Sequence, residues 1–474
     1  MSKLVVVILV YNTKAVFLRQ CVHSIINSSY KDLSIVIVND GSTDEYAWLK
    51  QYPQVEVLRN KTNLGIPASG NKSIEYILKN HPEASYITRV DSDDLIHKEL
   101  FNKEITFLEN NKDYIACCCH IQRFGIRKDN VIIERPKIWS MEKALMLPHG
   151  CGYSCGMLWR LQANKDGIRY DEKYKMCEDY DFHLQLLERG KIHTIQETLY
   201  YYRQHNTNIT FTFDSHERVS YVKDIQKKFT NKLKPKVTVI LTLHNIKPEY
   251  IKACLNTLKG QKYSKYKIII VDDYSSINYE NLKHLKNVTY IRNDKNLGIS
   301  KSVNKAFALV DTEYCVRLGS DDMFDPHLLQ EELLFLDEFP EYIAVCTDIQ
   351  MFGSKHWVIK RPNNYNLKNF LENGVVNFLT NYKSEYEYGY GGGMMFRSKV
   401  LKNLKLDESL SFAEDLDFHL GLLRYGKIFA IHKPLYSYRK HETQETSKIS
   451  DVKRKQIIKN IFAKHYKINN IPMI

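Results

Sequence analysis

Short acidic clusters recur along this 474-residue chain, each beside a predicted strand or helix. The first half contains Asp40, the run DSDD at 91–94 and the pair Glu178-Asp179. Neighbouring carboxylates suit a hard divalent cation, which is often held by one or two carboxylates together with substrate phosphates. A carboxylate at a helix N-terminus is favoured in its ionised form and can accept a proton as a general base. The clusters therefore indicate metal binding and proton transfer, with a solvated acidic turn as the alternative for any one of them.

Each cluster has a counterpart in the second half of the chain. LVVVILVYN (4–12) matches VTVILTLHN (237–245), and SIVIVNDGS (34–42) matches KIIIVDDYS (267–275), both at an offset of 233. CEDYDFHL (from Cys177) matches AEDLDFHL (from Ala413) at an offset of 236. Because the order of the blocks is preserved, the sequence predicts two copies of one domain, residues 1–232 and 233–474. Repetition also favours a functional role for the acidic clusters over a solvated turn.

The elements that must position these residues follow from hydrophobic patterning. Short runs such as VVVIL and IVIV are continuously apolar, which is typical of strands buried on both faces of a parallel sheet. Segments with helical spacing of apolar residues lie between them, giving a β-α-β order. Each copy is therefore predicted to be an α/β domain, a mostly parallel sheet flanked by helices. Asp40 and the doublet Asp272-Asp273 then lie at carboxyl ends of strands, where open α/β sheets bind ligands.

Composition and missing motifs argue against several classes of protein. Hydrophobic content of 43% and charged content of 26% are ordinary for a globular protein. No GxGxxG follows the first strand and no GxxxxGK[ST] occurs, which argues against a Rossmann dehydrogenase and a P-loop NTPase. The ten cysteines lack paired CxxC spacing and are predicted to be reduced and mostly buried. The net charge of +13 fits nucleic acid, a membrane surface or a phosphate-rich substrate equally well.

The ordered motifs YN, (D/N)DGS, NxG, DxDD and ED, each at its place among the strands and helices, resemble the GT-A glycosyltransferases of family 2. The resemblance covers essentially all of both copies. It implies two tandem GT-A domains (Rossmann-like, nucleotide-diphospho-sugar transferase), each inverting and dependent on Mn²⁺ or Mg²⁺. It implies nucleotide-sugar donors, UDP-sugars favoured, and a glycan or lipid-linked glycan acceptor. The expected product is a bacterial surface glycan such as capsule or lipopolysaccharide.

The resemblance also implies roles for particular residues. The general base and its acidic neighbour fall on four residues: Asp179, Asp415, Glu178 and Glu414. Metal binding falls on seven: Asp91, Asp93, Asp94, His205, Asp321, Asp322 and His441. Nucleotide binding falls on nine: Tyr11, Asn12, Asp40, Asn63, Arg89, Asn245, Asp273, Asn296 and Arg317. Alternatives remain open for some of these: a helix cap for Glu178-Asp179, a packing role for each histidine, and an ordinary ion pair for each arginine. The glycine-rich stretches GCGYSCG and GYGGG are candidates for the floor of the acceptor site.

Two departures from the family pattern concern the second copy. Tyr274 replaces the usual glycine, and Gly319 replaces the first aspartate of DxD. The first copy has Asn39 where aspartate is common, but keeps Asp40. Both copies keep the ED pair, so two intact and divergent sites predict a bifunctional synthase that transfers two different sugars.

Three other functions are alternatives to the bifunctional synthase. In the first, one copy is active and the other binds acceptor or is inactive. In the second, the chain is a basic nucleic-acid-binding protein; dispersed Lys and Arg and the lack of a known module argue against it, so no nucleic-acid partner is expected. In the third, the chain is a nucleotide-binding scaffold, against which the retained bases argue.

Location is predicted from the apolar runs. The early run LVVVILVY is too short to cross a bilayer, which needs about 20 apolar residues. The chain is thus expected to be cytoplasmic, or peripheral at the inner face of the cell membrane. Each copy ends in a basic amphipathic segment, 218–234 and 449–467. In the second, Ile457, Ile461 and Phe462 could face an anionic membrane; packing on the segment's own domain is the alternative.

Overall fold

The computed structural model of the protein separates into two compact units, residues 1–232 and 233–474. Each unit is described by itself below. The structure describes residues 3–126, 130–146, 155–208, 215–354, 356–361, 364–365, 392–441 and 450–468. Within the described residues, the ten strands follow one another in the same order in both units, and most of the helices have a counterpart.

In the first unit the strands are β1 Leu4–Val10, β2 Leu33–Asn39, β3 Val55–Arg59, β4 Tyr86–Arg89, β5 Leu95–Ile96, β6 Tyr114–Gly125, β7 Ile132–Ile133, β8 Ile138–Trp139, β9 Leu158–Arg160 and β10 Lys191–Gln204. The helices are α1 Ala15–Ile26, α2 Ile66–Asn80, α3 Leu100–Asn110, α4 Met141–Met146, α5 Gln162–Lys165, α6 Glu178–Leu187 and α7 Ser215–Thr230. A short 3₁₀ helix spans Ala47–Gln51.

In the second unit the strands are β11 Val237–Leu243, β12 Tyr266–Asp272, β13 Val288–Arg292, β14 Tyr314–Arg317, β15 Met323–Phe324, β16 Tyr342–Gly353, β17 Trp357–Ile359, β18 Asn364–Tyr365, β19 Met394–Arg397 and β20 Lys427–Lys440. The helices are α8 Pro248–Lys259, α9 Ile299–Phe307, α10 Leu328–Glu338, α11 Glu414–Leu422 and α12 Asp451–Ile468. Short 3₁₀ helices span Glu280–His284 and Ser398–Lys402.

Within the described residues, each unit contains one ten-stranded sheet. Eight of its strands lie side by side in the order β3-β2-β1-β4-β9-β6-β10-β5 in the first unit and β13-β12-β11-β14-β19-β16-β20-β15 in the second. The other two strands of each sheet, β7 and β8 or β17 and β18, pair with strands of this row. Strands β1 to β4 pair in parallel, as do β6 and β10, whereas β9 runs antiparallel between β4 and β6. In register, Val7 lies opposite Val36 on one side and Arg89 on the other. The predicted α/β class, with a mostly parallel sheet in each copy, is confirmed.

The apolar runs form central strands because both faces of the sheet are covered. On β1, Val6 and Ile8 face one hydrophobic cluster while Val5 and Val7 face another. Helix α1 covers the first face with residues at helical spacing, including Leu18, Cys21, Val22 and Ile25. A strand buried on both sides has no polar face to show, and this explains the continuous apolar runs in the sequence.

The last helix of each unit packs on its own domain. In α12, Ile461 and Phe462 are only 2% and 5% exposed and belong to the second unit's core, and Ile457 packs against the same cluster. In α7, Val222, Ile225 and Phe229 are buried in the same way. Of the two alternatives for the second segment, packing on its own domain is therefore the one found, because the domain core covers the apolar face of Ile457, Ile461 and Phe462.

Two further expectations concern the burial of the cysteines and the presence of membrane-spanning helices. Nine free cysteines lie in the described ranges; eight are buried and Cys177 is partly exposed. Within those ranges, no helix combines the length and apolar character needed to cross a bilayer.

Candidate active site

In each domain, three groups of predicted site residues lie at or just beyond the carboxyl ends of central strands. Asp40 directly follows β2, the DSDD run follows β4, and His205 directly follows β10. The second unit repeats this with Asp273, the SDD run at 320–322 and His441. Since carboxyl ends of parallel strands meet at one edge of a sheet, these side chains share one edge in each domain.

Asp40 is buried and holds the NLG loop at 63–65. Its Oδ1 accepts hydrogen bonds from the Asn60 side chain at 2.7 Å and the Leu64 backbone at 2.9 Å, and its Oδ2 accepts one from the Gly65 backbone at 2.8 Å. Gly65 has φ of 90°, which suits glycine, and it caps the start of α2. Asp273 makes the same three contacts in the second domain, to Asn293, Leu297 and Gly298. Each aspartate thus shapes the loop at a helix N-terminus.

The other predicted nucleotide-binding residues surround this loop. Tyr11 is 52% exposed at the end of β1, and Asn12 beside it has φ of 48° and accepts a hydrogen bond from the Thr43 backbone. Asn63 accepts a hydrogen bond from the Gly65 backbone at 2.9 Å. The second domain repeats these contacts through Asn245, with φ of 52°, and Asn296.

The DSDD turn places its aspartates in different surroundings. Asp94 is fully buried; its two oxygens accept hydrogen bonds from the Tyr200 hydroxyl at 2.8 Å and the Arg203 backbone at 2.7 Å. Burial, with the charges of Asp93 and Asp91, raises the pKa of Asp94 well above its ordinary value. Asp93 is partly exposed, and its Oδ2 lies 2.7 Å from Nε2 of His205. Asp94 is therefore a support beneath the turn, whereas Asp93 and His205 form its open side.

The ED pair opens helix α6 next to the DSDD turn. Cys177, immediately before it, adopts the left-handed conformation with φ of 67°, and this turns the chain sharply into the helix. Oδ1 of Asp179 accepts a hydrogen bond from the Tyr180 backbone at 2.8 Å. Burial first, and then the charges of Asp93 and Asp179 against that of Arg89, raise the pKa of Asp91. Arg89 contacts both Asp91 and Glu178, the neighbour of Asp179, and this brings the ED pair and the DSDD turn into one site.

Arg89, the last residue of β4, links the two acidic groups. Its Nη1 lies 3.1 Å from Oε1 of Glu178, and its Nε lies 3.4 Å from Oδ1 of Asp91. Burial opposes its charge, but Asp91 and the other nearby acidic groups raise the pKa of Arg89 above its ordinary value. Burial and Asp179 raise the pKa of Glu178 to about 7, against the opposing effect of Arg89. Arg89 thus makes the ion pair that the sequence left open as one of its two roles.

The second domain differs where Gly319 replaces Asp91. A Cβ atom at Gly319 would lie 2.3 Å from Oδ2 of Asp322, so a side chain there would require the Asp322 carboxylate to shift. Arg317 pairs with Glu414 at 3.4 Å, and the second contact that Arg89 makes, to Asp91, has no counterpart at a glycine. The retained residues keep their contacts: His441 Nε2 lies 2.9 Å from Oδ2 of Asp321, and Asp322 accepts hydrogen bonds from the Tyr436 hydroxyl and the Arg439 backbone.

The second replacement, Tyr274, keeps the backbone conformation of the glycine it replaces. Gly41 has φ of 72° and Tyr274 has φ of 60°. The tyrosine side chain is 52% exposed. The turn after β12 therefore keeps the shape of the turn after β2, at the cost of a left-handed conformation in a residue with a side chain.

Some residues of the site were missed from the sequence. Tyr200 and Arg203 support the DSDD turn, and Tyr436 and Arg439 do so in the second domain. Their signal was present, since LYYYRQH and LYSYRKH repeat both residue types at one offset. Most of the two glycine-rich stretches proposed as an acceptor floor lies outside the described residues; Cys155, Gly156, Gly392 and Gly393 are described.

The available donor atoms fit a hard divalent cation in the first domain. Asp91 and Asp93 offer carboxylate oxygens at the open side of the turn, and His205 offers a ring nitrogen beside them. Asp91, Asp94 and Cys155 have candidate ligand atoms within 4.8 Å of one another. Burial raises the pKa of the Cys155 thiol well above its ordinary value, which disfavours the thiolate form that binds metal. Asp91 and the contacting pair Asp93 and His205 are thus the candidate ligands in this turn.

The α/β fold of both domains and the acidic motifs at their strand ends agree with one known protein family. The model of the family "Glycosyl transferase family 2" matches residues 5–164 and 238–404, which together make up more than half of the chain. The chain therefore belongs to glycosyl transferase family 2. It is a glycosyltransferase, and its two domains are tandem GT-A domains.

Similar proteins differ in their identity to this chain and in the share of each chain that the similarity covers. An uncharacterized glycosyltransferase of Haemophilus influenzae is 24% identical over 280 residues, 55% of this chain and 84% of that protein. A chondroitin synthase of Pasteurella multocida is 29% identical over 202 residues, 40% of this chain but only 20% of that protein. Among solved structures, S. aureus TarS 1-349 in complex with UDP-GlcNAc is 17% identical with a TM-score of 0.39, over 48% of this chain and 72% of that one.

Proposed function

We propose that residues 1–232 and 233–474 are two transferase domains that each move a sugar from a nucleotide-diphosphate donor to a glycan hydroxyl. UDP-sugars are the favoured donors, and a hexosyl or N-acetylhexosaminyl group is the sugar transferred. The product is a bacterial surface glycan such as capsule or lipopolysaccharide, built on a glycan or lipid-linked acceptor. The observation that supports this most is the contact of Arg89 with both Asp91 and Glu178, the neighbour of Asp179, at the carboxyl edge of the sheet.

The chemistry is a single displacement with inversion. The acceptor hydroxyl oxygen attacks the anomeric carbon, and its proton passes to the carboxylate of Asp179 or Asp415. The bond between that carbon and the diphosphate oxygen breaks, and the electron pair leaves with the diphosphate. Glu178 contributes by holding Arg89 beside the turn, so that the guanidinium offsets negative charge near the leaving group.

Asp91, Asp93 and His205 would hold Mn²⁺ or Mg²⁺ in the first domain, and Asp321 with His441 would hold it in the second. When bound, the cation neutralises charge on the donor diphosphate. Asp94 and Asp322 support these turns from below. The second set has one carboxylate fewer, so we expect weaker metal binding there.

A second candidate function has its own observation. The missing carboxylate at Gly319 favours a chain in which only the first domain is active. The second domain would then bind acceptor. The preserved Glu414-Asp415 turn, with Ala413 at φ of 57°, favours two active sites, because an inactive domain needs no such strained turn.

Nucleotide release tests both candidates. Wild type, Asp179→Asn and Asp415→Asn are incubated with a panel of UDP-, GDP- and CMP-sugars and Mn²⁺. Each substitution is expected to reduce release from one donor by about 100-fold or more, because positioned general bases contribute about 10² to 10⁴ in rate. Loss of two different donors supports two transferases, whereas one inactive variant beside an unaffected one supports the second candidate.

Matched controls separate chemistry from general damage. Asp166→Asn and Asp311→Asn change exposed aspartates, one in each domain, and should leave release unchanged. Full activity in both Asp179→Asn and Asp415→Asn would contradict the proposed bases.

A further inference from the structure

We propose that Lys228 and Lys464, each on the last helix of its domain, are positioning residues for the helix that carries the proposed base. The inference rests on the proposed function of Asp179 and Asp415. Both lysines reach an aspartate two residues beyond the proposed base, at the start of α6 or α11. The basic residues of α7 and α12, which the sequence left without a role, thus gain one inside their own domains.

In the first domain the contact is to a fully buried carboxylate. Asp181 has no exposed side-chain surface, and its Oδ1 lies 2.7 Å from Nζ of Lys228. Its Oδ2 accepts a hydrogen bond from Gln185 at 2.7 Å. A buried carboxylate is costly unless it is paired and hydrogen-bonded, so this lysine fixes where the first turn of α6 can lie.

The same lysine reaches a second segment. Nζ of Lys228 also lies 3.3 Å from Oδ2 of Asp171. Tyr170, beside it, exchanges two hydrogen bonds of 2.9 Å with the side chain of Asn71 on α2. Helix α2 begins at the loop that Asp40 holds, so Lys228 ties the helix of the proposed base to the donor side of the site.

The second domain repeats the arrangement with one addition. Lys464 lies 2.9 Å from both Asp417 and Asp407, and Asn304 exchanges two hydrogen bonds of 2.9 Å with the Leu406 backbone. In addition, Nε2 of His465 lies 2.9 Å from Oδ1 of Asp417. The first domain has the buried Phe229 at that position. Asp181 is therefore held by Lys228 and by Gln185 of its own helix, whereas Asp417 is held by Lys464 and His465, both from the last helix.

This difference predicts unequal effects of the same substitution. Misplacing a catalytic group by about 1 Å can cost about 100-fold in rate, while groups that bind the donor stay in place. Lys228→Met is thus expected to lower kcat of the first domain about tenfold or more, with the donor KM changed less than about twofold. Lys464→Met should lower kcat of the second domain only about two- to threefold, because His465 remains. Lys464→Met combined with His465→Phe removes both contacts from the last helix and should lower kcat of the second domain at least as much as Lys228→Met lowers that of the first.

The experiment measures kcat and donor KM by nucleotide release, and amide hydrogen exchange of peptides from α6 and α11. Lys228→Met should speed exchange in α6 but not in β1, and Lys228→Arg should restore most of kcat. Lys232→Met, two residues beyond the end of α7, breaks an exposed pair with Glu188; it is the control and should change neither quantity. If Lys228→Met does not fold, the neutral pair Asp181→Asn with Lys228→Met replaces it, and the same loss of kcat is expected.

The outcomes separate this inference from the proposed function. Unchanged kcat and unchanged exchange in Lys228→Met, with Asp179→Asn inactive, overturn the positioning role alone. Equal loss of kcat and of donor affinity also overturns it, because that is general damage to the domain. If wild type releases no nucleotide from any donor, the proposed function fails, and exchange in α6 alone then decides whether Lys228 fixes this helix.

Discussion

Arg89 lies between acidic residues from distant parts of the chain, Asp91 beside it and Glu178 on helix α6. Its environment explains why a glutamate accompanies the proposed base. Burial and the charge of Asp179 raise the pKa of Glu178 to about 7, while Arg89 acts in the opposite direction. Protonation of Glu178 therefore loosens its hold on Arg89 near neutral pH.

Glu178 should make the stability of the first domain depend on pH. Its pKa is about 7 when folded and 4.5 ordinarily, so its stabilising contribution is complete below 4.5 and is lost as pH rises through 7. Replacing it by glutamine removes this loss. The melting midpoint of Glu178→Gln relative to wild type should therefore rise by several degrees between pH 5 and 7.5.

Tryptophan fluorescence can follow this transition without added metal, since three of the four tryptophans lie in residues 1–232. Gln162→Ala, a non-ionisable surface change, serves as the control and should shift the midpoint equally at both pH values. The same pH slope in wild type and Glu178→Gln would contradict the prediction.

At the scale of elements, the turn before the helix of the proposed base has an unusual backbone conformation in both domains. Cys177 and Ala413 both hold positive φ values, 67° and 57°, directly before the ED pair. Left-handed backbone costs a non-glycine residue roughly 1 to 2 kcal/mol. Conservation of this cost between the two copies indicates that the turn orients the carboxylate.

Substitution of Ala413 should reveal this constraint. A valine is strained in left-handed backbone and is also too large for a side chain only 9% exposed, so Ala413→Val should cost about 1 to 3 kcal/mol. Ala413→Gly, the control, should stay within about 1 kcal/mol of wild type. Urea unfolding measures both changes, and equal stability of the two variants would show that the turn is not constrained.

At the scale of the molecule, three hydrophobic clusters of described residues each lie within one unit. The clusters around β1 contain only residues of 1–232, and the cluster around α11 contains only residues of 233–474. A unit with its own core can in principle fold by itself. Residues 1–232 and 233–474, produced separately, should each give a cooperative melting transition.

Activity of the separate halves completes that prediction. Each half should release nucleotide from the donor that its own base variant loses in the full chain, because all described site contacts fall within one unit. The matching half carrying Asp179→Asn or Asp415→Asn is the control. Activity that returns only on mixing the halves would show that the sites depend on each other.

Much of the fold could be predicted from the sequence. Buried parallel strands are continuously apolar and the copies share a nearly constant offset, so strand order and duplication follow from local patterns. The placement of Asp40 after β2 follows for the same reason. The interpretation of 449–467 needed the structure, because an amphipathic face indicates burial but not whether a membrane or a core covers it.

The sequence by itself determined the two α/β copies, the family and the acidic residues at the strand ends, because these depend on neighbouring residues and on repetition. Only the tertiary structure decided which of those residues meet. Arg89 joins Glu178 across 89 positions, Tyr200 supports Asp94 across 106, and Lys228 holds Asp181 across 47. The close approach of the Asp322 carboxylate to Gly319 also arises only in the folded turn. Such contacts arise from packing between distant segments, which no local pattern records.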